Sequence, residues 1–227
     1  MSACRVLVTL SAPRPIEEAL VAAGFVVEAV SLLAFEATGR PPPAVPGALL
    51  VTSAHAAALL SAGAAPVIAV GEHTAAALRA AGHRVDAVAA GDGASALGLL
   101  SSRAHPRPWV FAGAEEPAPA LAAALAAGDL LHWPLYRTAA NPAAAGRIRA
   151  LPAPDAVVLG SPKAAASLVG AGLTPHAALV AIGPTTAAAL AALGRPAAAV
   201  AAAPTPPALS DAVRAALSRR SASSSPS

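Results

Sequence analysis

The chain has 227 residues, enough for two compact domains of roughly 100 residues each. Its net charge is only +3 and 3% of its residues are aromatic, which argues against a nucleic-acid surface, since such surfaces need clustered cations and stacking rings. Its single cysteine excludes an internal disulfide, and its six histidines lack paired-ligand spacing, so we expect no metal site.

The first predicted element is a strand within MSACRVLVTL, because no basic region precedes the short apolar run as it would in a signal peptide. Two uncharged stretches, 41–71 and 164–194, are long enough to cross a bilayer. Prolines, glycines and hydroxyl residues divide both into shorter strands and helices. We therefore expect a cytoplasmic protein without membrane contact.

An internal repeat organises the following elements. The segment PVIAVGEHTAAALRAAGHRVDAVAA recurs as ALVAIGPTTAAALAALGRPAAAVAAA, and residues 5–30 resemble residues 108–135. Four pairs share one constant spacing: Gly71 and Gly183, Thr74 and Thr186, Gly82 and Gly194, Leu97 and Leu209. Each short apolar run followed by a helix favours a parallel sheet covered on both faces, as in flavodoxin-like lobes. The repeat leaves open whether the two lobes follow one another or one is inserted in the other.

Four turns between strand and helix, in VTSAHA, VGEHTA, LGSPKA and IGPTTA, are candidate ligand sites. In such sheets, ligands bind beyond the carboxyl ends of the strands, where helix N-termini present backbone N–H groups. Serine at an N-cap and proline in the first turn are also typical of capping without a ligand. Repetition of the turns favours an anion site in a cleft between the lobes. The candidate residues are Thr52, Ser53, Ser161, Pro162, Lys163 (the only lysine), Gly183, Pro184, Thr185 and Thr186.

Other catalytic motifs are absent from the sequence: it has no GxxxxGK[ST], no GxGxxG after the first strand and no GxSxG. We therefore expect no nucleotide cofactor. Tyr136, the only tyrosine, follows the apolar run LLHWPL at the junction of the lobes. Its position is typical of a packing residue at a domain boundary and equally of a phenol that faces the cleft.

The segments VTSAHAA, IAVGEHTAAALRAAG, PLYRT, VVLGSPKAA and VAIGPTTAAALAALG resemble those of the uroporphyrinogen-III synthase family in order and spacing. The resemblance implies two flavodoxin-like α/β lobes with parallel five-stranded sheets, one inserted in the other and joined by a two-strand hinge. Lobe 1 would then comprise residues 1–35 and 139–217, and the inserted lobe residues 36–138. The polar residues 218–227 are predicted to form a disordered tail.

The resemblance also implies an activity. Members of this family are lyases of haem biosynthesis that cyclise hydroxymethylbilane, a linear tetrapyrrole with eight carboxylates, to uroporphyrinogen III, inverting ring D and losing water. No cofactor is implied. The candidate turn residues would contact this polycarboxylate, and Tyr136 would be the proton donor. We expect a monomer that has at most transient contact with the preceding enzyme of the pathway.

Two positions depart from the family pattern. Leu10 stands where the family often has an arginine, and Arg14 is the nearest basic residue. The turn FAGAEEPAPA is acidic and rich in proline, where the family commonly has another arginine. One alternative to the enzyme is a non-catalytic two-lobed binder of small anions, in which the same turns hold the ligand. The other is a regulatory module derived from the same fold, which the two departures favour.

Overall fold

The computed structural model describes residues 3–11, 13–44, 47–61, 63, 65–102 and 105–223. The chain forms two compact units, one made of Met1–Ala34 with Ala139–Ser227 and the other of Phe35–Thr138. Each unit is a mostly parallel sheet with helices on both faces. The predicted two-lobed α/β fold is therefore confirmed.

Strands and helices alternate along most of the chain. The strands are β1 (Arg5–Val8), β2 (Val26–Ala29), β3 (Leu33–Ala37), β4 (Ala48–Val51), β5 (Val67–Ala69), β6 (Val85–Val88), β7 (Trp109–Ala114), β8 (Leu131–Ala140), β9 (Ala156–Leu159), β10 (Ala178–Ala181) and β11 (Ala199–Val200). The helices are α1 (Arg14–Ala22), α2 (Ala54–Leu59), α3 (Glu72–Ala80), α4 (Gly93–Ser102), α5 (Pro119–Ala126), α6 (Ala144–Ala150), α7 (Pro162–Gly170), α8 (Pro184–Ala192) and α9 (Pro206–Ser223).

Unit 1 contains a parallel five-stranded sheet in the order β11-β10-β9-β1-β2. Side chains of β1 contribute to the hydrophobic cores on both faces of this sheet, because successive side chains of a strand point to opposite faces. Leu7 packs with buried residues of α6, α7 and α8, whereas Val6 and Val8 pack with those of α1 and α9. Strand β1 thus comes from the first residues of the chain and its neighbour β9 from the last third.

Unit 2 contains six strands in the order β3-β8-β7-β4-β5-β6, so the prediction of five strands is correct for unit 1 and wrong for unit 2. The additional strand is β3, through which the chain enters the unit and which pairs with the outgoing β8. The amide of Thr38 donates to Leu135 O at 2.9 Å, and the amide of Asn141 donates to Leu32 O at 2.9 Å. Residue numbers therefore increase along β3 while those of the paired residues on β8 decrease, so the two strands are antiparallel.

The C-terminal helix corrects another prediction. Helix α9 ends at Ser223, so residues 218–223 are helical and not disordered, while 224–227 lie outside the described residues. Alanine and arginine favour helix, and Arg219 donates a hydrogen bond to Ala198 O, which anchors this end of α9 to unit 1. Within the part of the chain that the structure describes, no helix is long and apolar enough to cross a membrane.

Candidate functional site

The turn between β9 and α7 is built around Ser161. The extended backbone of this residue (φ −162°, ψ 160°) ends the strand, and its Oγ accepts the amide hydrogen of Ala164 at 3.2 Å. Pro162 occupies the first helical turn, where its missing N–H costs nothing. The side chain of Lys163 is exposed on that same turn. The remaining amides of the helix start are thus presented at the carboxyl edge of the sheet.

A second turn, between β10 and α8, lies beside the first. Gly183 is the N-cap in an extended conformation (φ −173°, ψ 177°), and Pro184 again opens the helix. Together the two turns border an open cavity of about 380 Å³ at the carboxyl ends of β9, β10 and β11. The cavity is lined by Gly160, Pro162, Ile182, Gly183, Pro184, Thr185, Thr186 and residues 201–204. Five of the predicted binding residues thus share one cavity in unit 1.

Thr186 distinguishes this cavity from an ordinary helix start. The residue is 3% exposed yet lines the cavity. Thr185, its exposed neighbour, offers a second hydroxyl at the cavity. The cavity therefore combines open amides and hydroxyls, which suits a carboxylate.

In unit 2, the corresponding turn joins β4 to α2. Ser53 has the same extended conformation as Ser161 (φ −148°, ψ 151°), and its Oγ accepts the amide hydrogen of Ala56 at 3.2 Å. The same Oγ lies 2.9 Å from the hydroxyl oxygen of Tyr136 on β8. Thr52 is half-buried beside them, and a Cβ placed on Gly113 would lie 3.3 Å from its Oγ1. Both predicted residues of this turn thus lie at the carboxyl edge, and Ser53 contacts the predicted proton donor.

Two aromatic side chains that the sequence did not single out surround Tyr136. The ring centroids of Phe35 and His55 are 3.8 Å apart, and the Phe35 ring stands edge-on to Tyr136 at 5.4 Å. Partial burial lowers the pKa of His55, so its ring is neutral at neutral pH. Tyr136 itself is 6% exposed, whereas Phe35 is 37% exposed. No motif indicates Phe35, because its place beside Tyr136 depends on the pairing of β3 with β8.

Charged side chains are distributed unevenly around the carboxyl edges. In unit 2 the turn after β7 carries Glu115 and Glu116, and Arg137 pairs with Glu36 at 2.9 Å on the exposed surface. The acidic turn that the sequence shows therefore lies at the carboxyl edge of the sheet. Among the residues that the structure describes, no group of three or more histidine, cysteine, aspartate or glutamate side chains could hold a metal ion.

Comparison with known families agrees with this geometry. The family described as uroporphyrinogen-III synthase HemD matches residues 14–211, which include every candidate residue of both units. The chain belongs to the uroporphyrinogen-III synthase family. Its activity is that of a cyclising lyase, which converts hydroxymethylbilane to uroporphyrinogen III in haem biosynthesis. Neither the anion binder nor the regulatory module is favoured by any comparison.

Solved structures of uroporphyrinogen-III synthases share the fold of this chain. The enzyme from Helicobacter pylori is 18% identical, with a TM-score of 0.62 over 96% of this chain and 99% of that one. A mutant of the enzyme from Thermus thermophilus is 20% identical, with a TM-score of 0.52 over 96% of this chain and 100% of that one. No curated protein matches the sequence. At such low identity these structures establish the shared two-lobed fold and not individual residue roles.

Proposed function

We propose that the turns at the carboxyl edges of both units bind the carboxylates of hydroxymethylbilane, and that Tyr136 donates the proton to its leaving hydroxyl. The observation that carries the first part is the cavity of unit 1, which is lined by the start of α8 and by Thr185 and Thr186. A carboxylate there would accept hydrogen bonds from these hydroxyls and from the open amides of α7 and α8. Hydrogen bonds to a charged group are worth about 1.5–3 kcal/mol each, so several can hold a polyanion with few cationic side chains.

The proposed binding residues lie in equivalent turns of the two units, but the two sets differ in their side chains. Unit 1 supplies Ser161, Pro162, Lys163 and the stretch 183–186, and unit 2 supplies Thr52 and Ser53. Lys163 adds a positive charge to the edge of unit 1. We infer that unit 1 binds most of the negative charge of the substrate.

Tyr136 is the proposed proton donor because its phenol is almost enclosed and has a defined hydrogen-bond partner. A phenol is a weak acid, so its contribution depends on positioning. Most of the isomer selectivity comes instead from the binding of the chain of rings in the productive geometry. A bilane that closes in water does so without inversion of the last ring.

We further infer that the enzyme acts as a cytoplasmic monomer without a cofactor, with at most transient contact with the enzyme that supplies its substrate. The absence of nucleotide-binding motifs from the sequence supports this proposal. Light scattering of the purified protein should give the mass of one chain. Dialysis against a chelator should leave the rate unchanged.

Isomer analysis of the product tests the proposed function directly. Purified protein is incubated with freshly made hydroxymethylbilane, and the oxidised products are separated by chromatography, with a protein-free sample as the control. The proposal predicts mainly the type III isomer with protein and only the type I isomer without it. Type I product alone in both samples would overturn it.

A further inference from the structure

The hydroxyls of Ser53 and Tyr136 form a hydrogen-bonded pair with a restricted number of arrangements. Ser53 Oγ has two lone pairs and one hydrogen, and one lone pair already accepts the Ala56 amide hydrogen at 3.2 Å. The Tyr136 oxygen lies 2.9 Å from the same Oγ. Either Ser53 donates to the phenol oxygen, or the phenol donates to Ser53. In both arrangements one hydroxyl hydrogen of the pair stays available to a third group.

The surroundings of the pair fix both of its members. Ser53 is held by the start of α2, since its extended backbone and its bond to Ala56 define the N-cap. Tyr136 is held by β8, where its carbonyl oxygen accepts the Glu115 amide hydrogen at 2.8 Å, and its ring packs edge-on against Phe35. Among the described residues, Ser53 is the only hydrogen-bond partner of the phenol. Ser53 therefore supplies the hydrogen bond that orients the phenol hydroxyl.

We propose that Ser53 is a positioning residue, which holds the Tyr136 phenol for proton donation and stabilises the phenolate that donation leaves. This inference rests on the proposed role of Tyr136. It assigns to Ser53 a role through the phenol, beyond the contact with substrate that its turn suggests. Ser161, which caps α7 with the same geometry, has no phenol partner among the described residues.

The proton transfer balances without any further reactant. The bond between carbon and oxygen of the substrate hydroxymethyl group breaks, and its electron pair goes to the oxygen. That oxygen takes the phenolic hydrogen and leaves as water, while the carbon becomes a cation that shares its charge with the pyrrole nitrogen. The Ser53 hydroxyl donates to the resulting phenolate, a hydrogen bond that is stronger than the one to the neutral phenol. When the attacked pyrrole loses a proton after ring closure, the phenolate takes it.

A double-mutant cycle separates this role from direct substrate binding. The rate of type III formation is measured at saturating substrate for the wild type, Ser53→Ala, Tyr136→Phe and the double variant, with KM determined for each. If Ser53 acts through the phenol, Ser53→Ala lowers kcat about 10-fold in the wild type and less than about 2-fold in the Tyr136→Phe background. Any rise in KM from loss of the contact between the Ser53 turn and the substrate should be of equal size in both backgrounds, and Ser53→Thr, which keeps the hydroxyl, should restore most of the rate.

Ser161→Ala is the matched control, because it removes the same type of N-cap without touching the phenol. Its effect on kcat should be equal in the two backgrounds. Equal losses for Ser53→Ala in both backgrounds, or no loss at all, would overturn the positioning role. Failure of the proposed function is a separate result, since the wild type would then make no type III isomer.

Discussion

A nearly enclosed phenol is the group on which the proposed chemistry depends. Tyr136 is 6% exposed, and the neutral rings of Phe35 and His55 lie beside it. Such a site strengthens the hydrogen bond from Ser53, because water competes poorly for the phenol oxygen. The Tyr136 ring also contributes to the packing of unit 2, so a substitution that tests the hydroxyl must keep the ring.

Tyr136→Phe should lower kcat about 10- to 100-fold and leave the product mainly type III. The substitution keeps the ring and removes only the hydroxyl. A positioned proton donor typically contributes about 10²- to 10⁴-fold, and we expect a smaller contribution from a phenol because it is a weak acid. KM should change less than about 3-fold, because the loss affects the transition state. Initial rates at saturating substrate with chromatographic isomer analysis provide the measurement. An unchanged rate would make Tyr136 a packing residue only.

Thr186→Ala should raise KM about 3- to 10-fold with a smaller change in kcat. The variant removes the hydroxyl of a residue that lines the cavity of unit 1, and a hydrogen bond to a carboxylate would be lost in both the bound substrate and the transition state. Thr74→Ala is the matched control, because Thr74 is buried at the equivalent position of α3, in a turn that carries Glu72. A similar rise in KM for both variants would mean that packing causes the effect.

The residues of the candidate site differ in how far the sequence predicts them. Ser53 and Ser161 could be identified as N-caps because capping depends only on residues within one turn of the chain. Their structure agrees with this local rule. Phe35 and His55 could not be identified, because their contacts with Tyr136 join distant parts of the chain. The contact between Ser53 and Tyr136 joins residues 83 apart and depends on the same tertiary arrangement.

The ends of the helices position most of the candidate site. In α2 and α7 a serine hydroxyl satisfies one amide of the first turn, and in α3 and α8 a glycine N-cap supplies no side chain. Helices with a glycine cap leave more amide hydrogens open to a ligand. The start of α3 also carries Glu72, whereas the start of α8 carries no acidic residue. The N-terminus of α8 is therefore the better anion site of this pair.

Ser161→Ala should lower the unfolding midpoint by about 2–4 °C. An N-cap is worth roughly 1 kcal/mol, and a loss of that free energy of unfolding shifts the midpoint of a protein of this size by a few degrees. Ser161→Asn, which can still accept the Ala164 amide hydrogen, should recover most of this loss. Ser53→Ala should cost more, because it removes both the cap of α2 and the bond to Tyr136. Thermal unfolding followed by circular dichroism gives the three midpoints. An equal midpoint for Ser161→Ala and the wild type would show that water replaces the cap without cost.

The strands show where the repeat in the sequence misleads. Similar segments in both halves predict equal five-stranded sheets, and the five strands of unit 1 agree. Unit 2 has a sixth because β3 carries the chain into it and pairs with the outgoing β8. A connecting segment is not part of the repeat, so similarity within the chain cannot indicate whether it pairs.

Unit 1 is built from two separate segments of the chain. Strand β1 pairs with β2 on one side and with β9 on the other, so this sheet joins the two ends of the sequence. The internal repeat leaves this order open, because tandem and inserted lobes contain the same segments. Only the resemblance to a family of known architecture indicated insertion.

The weak charge of the described carboxyl edges leads to a prediction about salt. Unit 1 presents Lys163 and Arg14 near its turns, while unit 2 presents Glu115 and Glu116. Long-range attraction of a polyanion is therefore small, and we propose that short hydrogen bonds from amides and hydroxyls do most of the binding. Salt screens charges beyond a Debye length of about 8–10 Å and weakens such short contacts much less.

KM for hydroxymethylbilane should consequently change less than about 3-fold between roughly 0.05 and 0.5 M sodium chloride. Steady-state kinetics at a series of salt concentrations give the slope of KM against ionic strength. Lys163→Gln should reduce the remaining slope, because it removes the cation at the start of α7. His176→Gln, at an exposed histidine of unit 1, is the control for a surface substitution. A rise in KM of about tenfold or more in the wild type would mean that cationic side chains dominate binding, and Arg14 would then be the next residue to replace.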